Sequence, residues 1–284
     1  MKPVLLTAHN PGPMTGSGNN TYLIIGSGRA TLIDAGVGHE RHLRELNDRL
    51  LANAATLERV LVTHFHADHA SGAPAISAAH ASAVFEKFPW PEEDARYDVA
   101  WRPLADGDVV VAGGEPIVAL HTPGHSPDHM AFWHDPSRSV FSGDLVSRDT
   151  SVMIHTSRGG NLAAYLASLE RLLALGPQAL LPAHGPRIDD PRAVLIGYLE
   201  HRRMRERQVK AALDRGHATV QAIAESIYDG LDPALMPAAR ENVRAHLEKL
   251  KADGLASVDD FEQWTASESN WPRNPGTTEK NRTL

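Results

Sequence analysis

The 284-residue chain contains no cysteine. Disulfides are therefore excluded, and any bound metal must be held by nitrogen and oxygen ligands. Long apolar runs are also missing, since no window approaches the roughly 18 consecutive apolar residues that a membrane-spanning helix needs. The opening MKPVLLTAHN is too poor in apolar residues for a secretory signal. We therefore expect a cytoplasmic protein with no membrane partner.

An excess of positive charge is absent as well. The chain has 28 Lys and Arg against 35 Asp and Glu, a formal net charge of −7. Wholesale binding to a polyanion is disfavoured, because phosphate affinity depends mainly on basic side chains. With 42% hydrophobic residues the chain can bury a large core, so we expect one large domain, with or without a small appendage.

What the sequence does contain is a dense polar cluster, LVTHFHADHASG at residues 61–72. The alternating positions of His64 and His66 at a strand end place both rings on one side. Asp68 and His69 follow after one residue, so the chain must turn, and their side chains then point to a position next to the one that His64 and His66 share. One ion rarely takes four ligands from six consecutive residues, so two adjacent ions fit the cluster better.

Three further polar residues follow other predicted strands, in TPGH, FSGD and PAHGP. Strands that deliver polar residues to the same sheet end form a ligand site there. Zinc suits this donor set, with manganese or iron as alternatives. Asp68 and Asp144 are also the predicted catalytic carboxylates. The predicted ligands are His64, His66 and His125 for one ion, and Asp68, His69 and His184 for the other, with Asp144 bridging.

Other polar residues of the same strand ends have predicted supporting roles. Asp34, at the end of the predicted strand in LIDAG, is interpreted as a carboxylate that orients a ligand histidine. A simple strand-end turn is the alternative for this residue. His121 and His129 are interpreted as orienting or structural residues.

After Pro191 the pattern becomes helical. One long helix runs from Asp190 to Gly216, Thr219 caps a short helix that reaches Tyr228, and a third helix stops at Gly254. LASVDDFEQW follows as a small strand or wing. We predict a domain at 1–190, a winged-helix-like domain at 191–260 and a polar, largely disordered tail at 261–284.

These motifs resemble those of a known family. THFHADH, TPGHSPDH, FSGD and PAHGP, in this order and with LIDAG upstream, are similar to the five motifs of the metallo-β-lactamase fold superfamily. The resemblance covers about residues 1–190 and implies an α+β protein with an αββα sandwich and a dinuclear metal site held as above. The stretch NPGPMTGSGNNTYLI and the C-terminal module resemble the lactamase-β-like subgroup, whose C-terminal domain is a winged helix.

A dinuclear site of this kind activates a bridging water as hydroxide and so predicts a hydrolase. Animal members of the subgroup are described as single-strand endoribonucleases, so hydrolysis of single-stranded RNA is our first prediction. The run HRRMRERQVK, at residues 201–210, gives it local support. The alternative for this run is an ordinary solvated helix face, and the winged helix could equally serve in dimerisation or as a lid.

Hydrolysis of a small acyl substrate is the second prediction. A glutathione or coenzyme A thioester, a lactone and a β-lactam ring all suit the same site. His155, Arg158 and Tyr165 lie between the bridging aspartate and the next helix and are predicted to line the substrate pocket. The sequence leaves the oligomeric state open.

Overall fold

The computed structural model describes residues 2–12, 15–148 and 151–267. The chain forms two compact units, Met1–Arg202 and Arg203–Leu284. The division falls inside a long helix, Pro191–Asp214, later in the chain than the border that the sequence predicted at 190/191.

The first unit begins with a six-stranded sheet in which neighbouring strands follow chain order. The first three strands pair antiparallel, and the third to the sixth pair parallel. The strands are β1 (Val4–Thr7), β2 (Asn20–Gly26), β3 (Arg29–Ile33), β4 (Thr56–Leu61), β5 (Val84–Lys87) and β6 (Trp101–Pro103).

Four helices belong to the connections of this sheet: α1 (Glu40–Ala52), α2 (Ala67–Ala70), α3 (Ala73–Ala79) and α4 (Pro91–Asp94). Helix α1 begins after His39, whose ring accepts a hydrogen bond from the Arg41 amide. Its buried face, Leu46 and Leu50, packs with Leu32 of β3 in one apolar cluster. This packing follows from the three- and four-residue spacing of the leucines in the sequence.

A second sheet has five strands in the order β11-β10-β9-β8-β7. They are β7 (Val109–Ala112), β8 (Glu115–His121), β9 (Met130–His134), β10 (Ser139–Gly143) and β11 (Ala179–Pro182). A short 3₁₀ helix (Thr156–Arg158) and helix α5 (Leu162–Leu175) connect the last two strands. Helix α5 is tied to the sheet through Arg171, which donates to the Asp106 carboxylate and to the His121 carbonyl.

The side chains of the first sheet point alternately to its two faces, and each face packs against a different apolar cluster. Tyr22 and Ile24 of β2 pack with Phe132 and Phe141 of the second sheet, whereas Leu23 packs on the helical side. This alternation is the two-residue period of a strand covered on both faces. The predicted αββα sandwich is confirmed.

The second unit is a helical module with a small hairpin, as predicted for a winged helix. Its elements are the end of α6 (Pro191–Asp214), α7 (Val220–Ile227), a 3₁₀ turn (Pro233–Leu235), α8 (Met236–Ala252), β12 (Ala256–Val258) and β13 (Trp264–Ala266). Thr219 caps α7 by accepting from the Ala222 amide.

Three residues of the tail that the sequence predicts to be largely disordered form strand β13. Strand β13 pairs antiparallel with β12, and the Trp264 side chain is buried against Leu247 and Leu250 of α8. An indole provides enough buried apolar area to hold a three-residue strand in place despite its polar neighbours. The rest of the predicted tail, 268–284, lies outside the described residues.

None of the helices within the described ranges combines the length and the apolar character that a membrane crossing requires.

Candidate metal centre

The direction of the strands explains why distant residues meet. Strands β3 and β4 are parallel, so Asp34 and the 64–69 segment leave the first sheet at the same edge. In the second sheet β9 is antiparallel to both β8 and β10, and β10 is parallel to β11. Strands β8, β10 and β11 therefore share one direction, and their ends deliver His125, Asp144 and His184 together.

The first group of side chains consists of three histidines whose ring nitrogens converge. His66 Nδ1 lies 2.8 Å from His64 Nε2 and 3.0 Å from His125 Nε2. The other nitrogen of His125, Nδ1, is 2.9 Å from the Met153 carbonyl oxygen. A carbonyl can only accept, so this contact places the ring proton on Nδ1 and leaves a lone pair on Nε2.

The second group lies on the other side of Asp144 and contains Asp68, His69 and His184. Asp68 Oδ2 is 3.5 Å from Nε2 of both His69 and His184. These three ligand atoms lie within 4.8 Å of one another. The structure thus brings together all seven residues that the sequence predicted as ligands.

Asp144 lies between the two groups. Its Oδ2 is 3.6 Å from His125 Nε2, while its Oδ1 is 3.2 Å from His184 Nε2 and 3.6 Å from His69 Nε2. One carboxylate oxygen therefore faces each group, which is the arrangement that a bridging ligand requires.

The electrostatics of the two groups differ. Burial, together with the neighbouring histidines, lowers the pKa of His66 to about 3 and lowers the pKa of His64 well below its usual value. Burial also opposes a charge on His184, but the carboxylates of Asp144 and Asp68 outweigh it and raise its pKa to about 9. The first group therefore offers neutral imidazoles, and the second attracts positive charge.

Asp34 supports the second group from behind. Its Oδ2 is 2.9 Å from His69 Nδ1, and its two oxygens accept from the Thr63 amide at 2.7 Å and the Thr63 hydroxyl at 3.0 Å. With its proton on Nδ1, His69 turns Nε2 towards Asp68 and Asp144. These are the contacts that the orienting role predicted for Asp34 requires, and that role stays a prediction. The φ of +63° at Asp34 is an uncommon conformation for a residue with a side chain.

Two supporting contacts were not predicted in this form. Asn19 Nδ2 donates to Asp68 Oδ2 at 2.9 Å and to the Asp68 carbonyl at 3.1 Å. His129 Nε2 accepts from the Asp144 amide at 3.0 Å, and its Nδ1 is 2.9 Å from the Thr122 hydroxyl. His129 thus has one of the two roles that the sequence allowed. The paired asparagines in GNNTYLI were a visible signal for Asn19, but nothing in the sequence indicated its partner.

Gly143 shows why FSGD carries a glycine. Its φ is +50°, and a Cβ there would lie 2.5 Å from His129 Nε2. A side chain would thus displace the ring that holds the Asp144 amide.

The remaining predicted residues lie elsewhere. His121 stacks on Phe88 with ring centroids 3.9 Å apart and has a structural role. Tyr165 is fully buried and its hydroxyl donates to the Leu145 carbonyl at 2.6 Å, so a substrate contact is not supported. A helical spacing alone cannot tell which residues of α5 face inwards. His155 is half-buried and Arg158 is exposed at the 3₁₀ turn, and their predicted substrate contacts stay predictions.

Comparison with protein families identifies both parts of the chain. The model described as the metallo-beta-lactamase superfamily matches residues 14–184, and that of the beta-lactamase associated winged helix domain matches 219–264. The chain belongs to the metallo-beta-lactamase superfamily. The predicted fold and family resemblance are confirmed, and the assignment supports a hydrolase.

Two relatives show what this superfamily member is similar to. A Drosophila melanogaster protein named "Beta-lactamase-like protein 2 homolog" is 31% identical over 261 residues, covering 88% of this chain and 87% of the relative. An Aspergillus chevalieri protein named "Atrochrysone carboxyl ACP thioesterase" is 35% identical over 237 residues, covering 79% of this chain and 72% of the relative.

Solved structures agree with this assignment. A beta-lactamase domain protein from Burkholderia ambifaria has a TM-score of 0.78 at 24% identity, covering 93% of this chain and 91% of its own, which shows the shared fold. Another protein, solved in a di-iron-bound form, has a TM-score of 0.53 at 31% identity over 71% of this chain and 98% of its own.

Proposed function

We propose that the protein is a metal-dependent hydrolase that holds two cations and acts on an acyl thioester. The observation that carries the metal centre is the position of Asp144, whose two oxygens face separate groups of histidines at 3.2 and 3.6 Å. His64, His66 and His125 would hold one cation, Asp68, His69 and His184 the other, and Asp144 both.

The donor chemistry fits such cations. His66 Nδ1 lies 2.8 Å from His64 Nε2 and 3.0 Å from His125 Nε2, and His125 Nε2 carries a lone pair. A proton on His66 Nδ1 can satisfy only one of these two contacts at a time, whereas a cation among the nitrogens would accept lone pairs from all three. Zinc is our proposal for the metal, and the di-iron relative makes iron the first alternative to test.

When bound, the two cations lower the pKa of a water towards about 7 and polarise the carbonyl that it attacks. Side chains of the protein orient the ligand atoms and the water. Asp34 fixes the His69 proton on Nδ1, and Asn19 donates to Asp68 Oδ2, so each ligand presents one defined atom to the site. Asp68 remains partly exposed and ionised, so its carboxylate can accept a hydrogen bond from the attacking water and orient it.

The thioester assignment is supported by the relative named as an acyl carrier protein thioesterase.

The contacts of the basic run at 201–210 argue against an RNA-binding surface. Arg202 is buried and donates to the Val152 carbonyl, and Lys210 pairs with Asp214 at 2.8 Å. Arg205 lies over the Tyr228 ring, 4.5 Å from its centroid. A large part of the predicted basic surface is therefore used within the protein.

Hydrolysis of single-stranded RNA stays a prediction. It is supported by the resemblance of the motifs to the lactamase-β-like subgroup and by the winged-helix match at residues 219–264. Exposed Arg203 and Arg207 are the residues of the basic run that this alternative would use.

One assay tests both. Zinc-loaded protein is offered hexanoyl-coenzyme A, a lactone, a β-lactam and labelled single-stranded RNA, with and without chelator. We expect thioester hydrolysis that is abolished by chelator and by His66→Ala but retained in His80→Ala, a matched histidine outside the site. RNA cleavage with inert thioesters would overturn the thioester assignment. Hydrolysis that survives both chelator and His66→Ala would overturn the metal centre.

A further inference from the structure

A cavity of about 390 Å³ lies beside the segment that follows Asp144, within the first unit. One wall is formed by Ser147, Arg148 and Ser151, and the other by four residues of α6: Val194, Gly197, Tyr198 and His201. None of these residues belongs to the metal centre described above. The cavity therefore raises the question of what it holds.

The cavity is close to the candidate centre. Ser147 follows Asp144 by three residues, which limits their Cα separation to about 10 Å. The Tyr198 hydroxyl accepts from the Ser147 amide at 3.0 Å and donates to the Ser147 carbonyl at 2.8 Å. This double contact fixes the wall nearest to Asp144, so the distance between cavity and centre is set by the fold.

Gly197 is an unusual residue at this place. It lies in the interior of the 24-residue helix α6, where a glycine costs about 1 kcal/mol relative to alanine. Its backbone is not in the left-handed region, and a Cβ there would meet no atom within 4 Å. Neither conformation nor close packing explains the glycine, and a side chain at this exposed position would extend into the open space that the cavity wall borders.

The lining has the character of a site for an amphipathic, anionic group. Arg148 is exposed and supplies a cation, the serine side chains supply hydroxyls, and Val194 supplies an apolar surface. A guanidinium pairs with a carboxylate or a phosphate through two parallel hydrogen bonds.

Resting on the function proposed above, we infer that this cavity binds a portion of the thioester that carries an anionic group, which pairs with Arg148. Two parts of a thioester could supply that anion: a carboxylate at the far end of the acyl chain, or a phosphate of the thiol carrier. Both present the same chemistry to the guanidinium.

Three substrates separate these sources. Hexanoyl-N-acetylcysteamine has no anion, adipyl-N-acetylcysteamine has one on the acyl chain, and hexanoyl-coenzyme A has its anions on the carrier. If the inference holds, Arg148→Gln raises KM about tenfold for one anionic substrate and leaves the neutral one unchanged. Equal effects on all three substrates would overturn the anion pairing.

The shape of the cavity is tested by a graded series at Gly197. Gly197→Ala and then Gly197→Leu should raise KM stepwise, with about a tenfold loss for leucine, while both raise the melting temperature through better helix propensity. Ala193→Leu is the matched control, because Ala193 is exposed on α6 and does not line the cavity. Unchanged KM in Gly197→Leu would overturn the inference.

A binding measurement keeps this test independent of turnover. Wild-type protein and Gly197→Leu are titrated with adipate and with 4′-phosphopantetheine, and binding is followed by calorimetry. We expect one of them to bind wild type and to lose about tenfold in affinity in the variant. If one of these ligands binds while no thioester is hydrolysed, the result supports the binding cavity and contradicts the proposed thioester hydrolysis. If neither binds wild type, the cavity inference fails.

Discussion

At the edge of the first unit, His64 and His69 are completely buried and their ring nitrogens face other polar side chains. In the second unit the buried side chains of α8, such as Leu247 and Leu250, are apolar and pack against Trp264. Apolar burial stabilises a fold by itself, at about 25 cal/mol per Å². Burying a polar group costs free energy unless the group has a hydrogen-bond or ionic partner. His64 and His69 are therefore stabilised only by contacts with neighbouring polar side chains and by any ligand that they bind. Changes in the first region should therefore alter chemistry, and changes in the second should alter stability.

The largest effect is expected at Asp144. Asp144→Asn removes the charge shared by both groups and should lower hydrolysis by about 10³-fold or more, because the cations are then held and oriented poorly. The circular dichroism spectrum should stay unchanged. Steady-state kinetics of the metal-loaded proteins measures the loss, with the exposed Asp135→Asn as control. Retention of more than about a tenth of the activity would contradict the bridging role.

In the second unit the corresponding change is Leu247→Ala. Leu247 has no exposed surface, so truncation should lower the free energy of unfolding by about 2–4 kcal/mol. Urea unfolding measures this, and Leu235→Ala, at a side chain that is 54% exposed, should change it little. Metal content should be the same in both variants. If Leu247→Ala kept normal stability but lost its metal, the proposed difference between the two regions would be contradicted.

A smaller effect is expected behind the metal centre. Asp34→Asn keeps the shape of the side chain but weakens the contact that fixes the His69 proton. Metal affinity should fall about 10- to 100-fold, as is usual for residues that orient a ligand. Competition with a chromophoric chelator measures the affinity, with the exposed Asp48→Asn as control. Equal affinities in the two variants would limit Asp34 to a structural role.

The smallest effect concerns an ion pair of the second unit. Glu206 lies 3.0 Å from Lys249 Nζ. Burial alone would raise the pKa of Glu206, but His246 and Lys249 outweigh it and lower this pKa below 4.5. The ionised form is favoured in the folded state, so the stabilisation is present above the usual pKa and is lost as the pH falls through the lowered one.

Glu206→Gln should therefore be about 1 kcal/mol less stable than wild type at pH 7, and the difference should disappear in acid. Thermal unfolding across this pH range measures it. Glu248→Gln, at an exposed position of α8 beside Lys249, is the control. A stability difference between wild type and Glu206→Gln that grows in acid would contradict the lowered pKa of Glu206.

The sequence predicted which seven polar side chains come together better than it predicted the contacts around them. All seven candidate ligands lie in short motifs at strand ends, and parallel strands bring such ends to one edge, so residue type and order were sufficient. The contacts of Asn19 to Asp68 and of Asp144 to His129 connect residues far apart in the chain. Each pairing joins two segments at the strand ends of one sheet, and its geometry depends on how those segments turn, which no local pattern encodes.

The errors have physical causes of the same kind. Tyr165 sits on a helix that is apolar over much of its circumference, so its burial is decided by how α5 packs. Trp264 lies in a polar stretch, and its strand exists because the indole is buried against α8. Strands β5 and β6 were not anticipated for a similar reason, since four- and three-residue strands are specified mainly by their neighbours.

The most direct test of the central claim is the number of cations that the chain binds. Metal-stripped protein is titrated with zinc in the presence of a competing chromophoric chelator, and the bound metal is then determined by elemental analysis. We expect two equivalents per chain, with His64→Ala and His184→Ala each impairing the binding of a different one. Binding of one equivalent or none, or loss of the same equivalent in both variants, would contradict a pair of cations held on either side of Asp144.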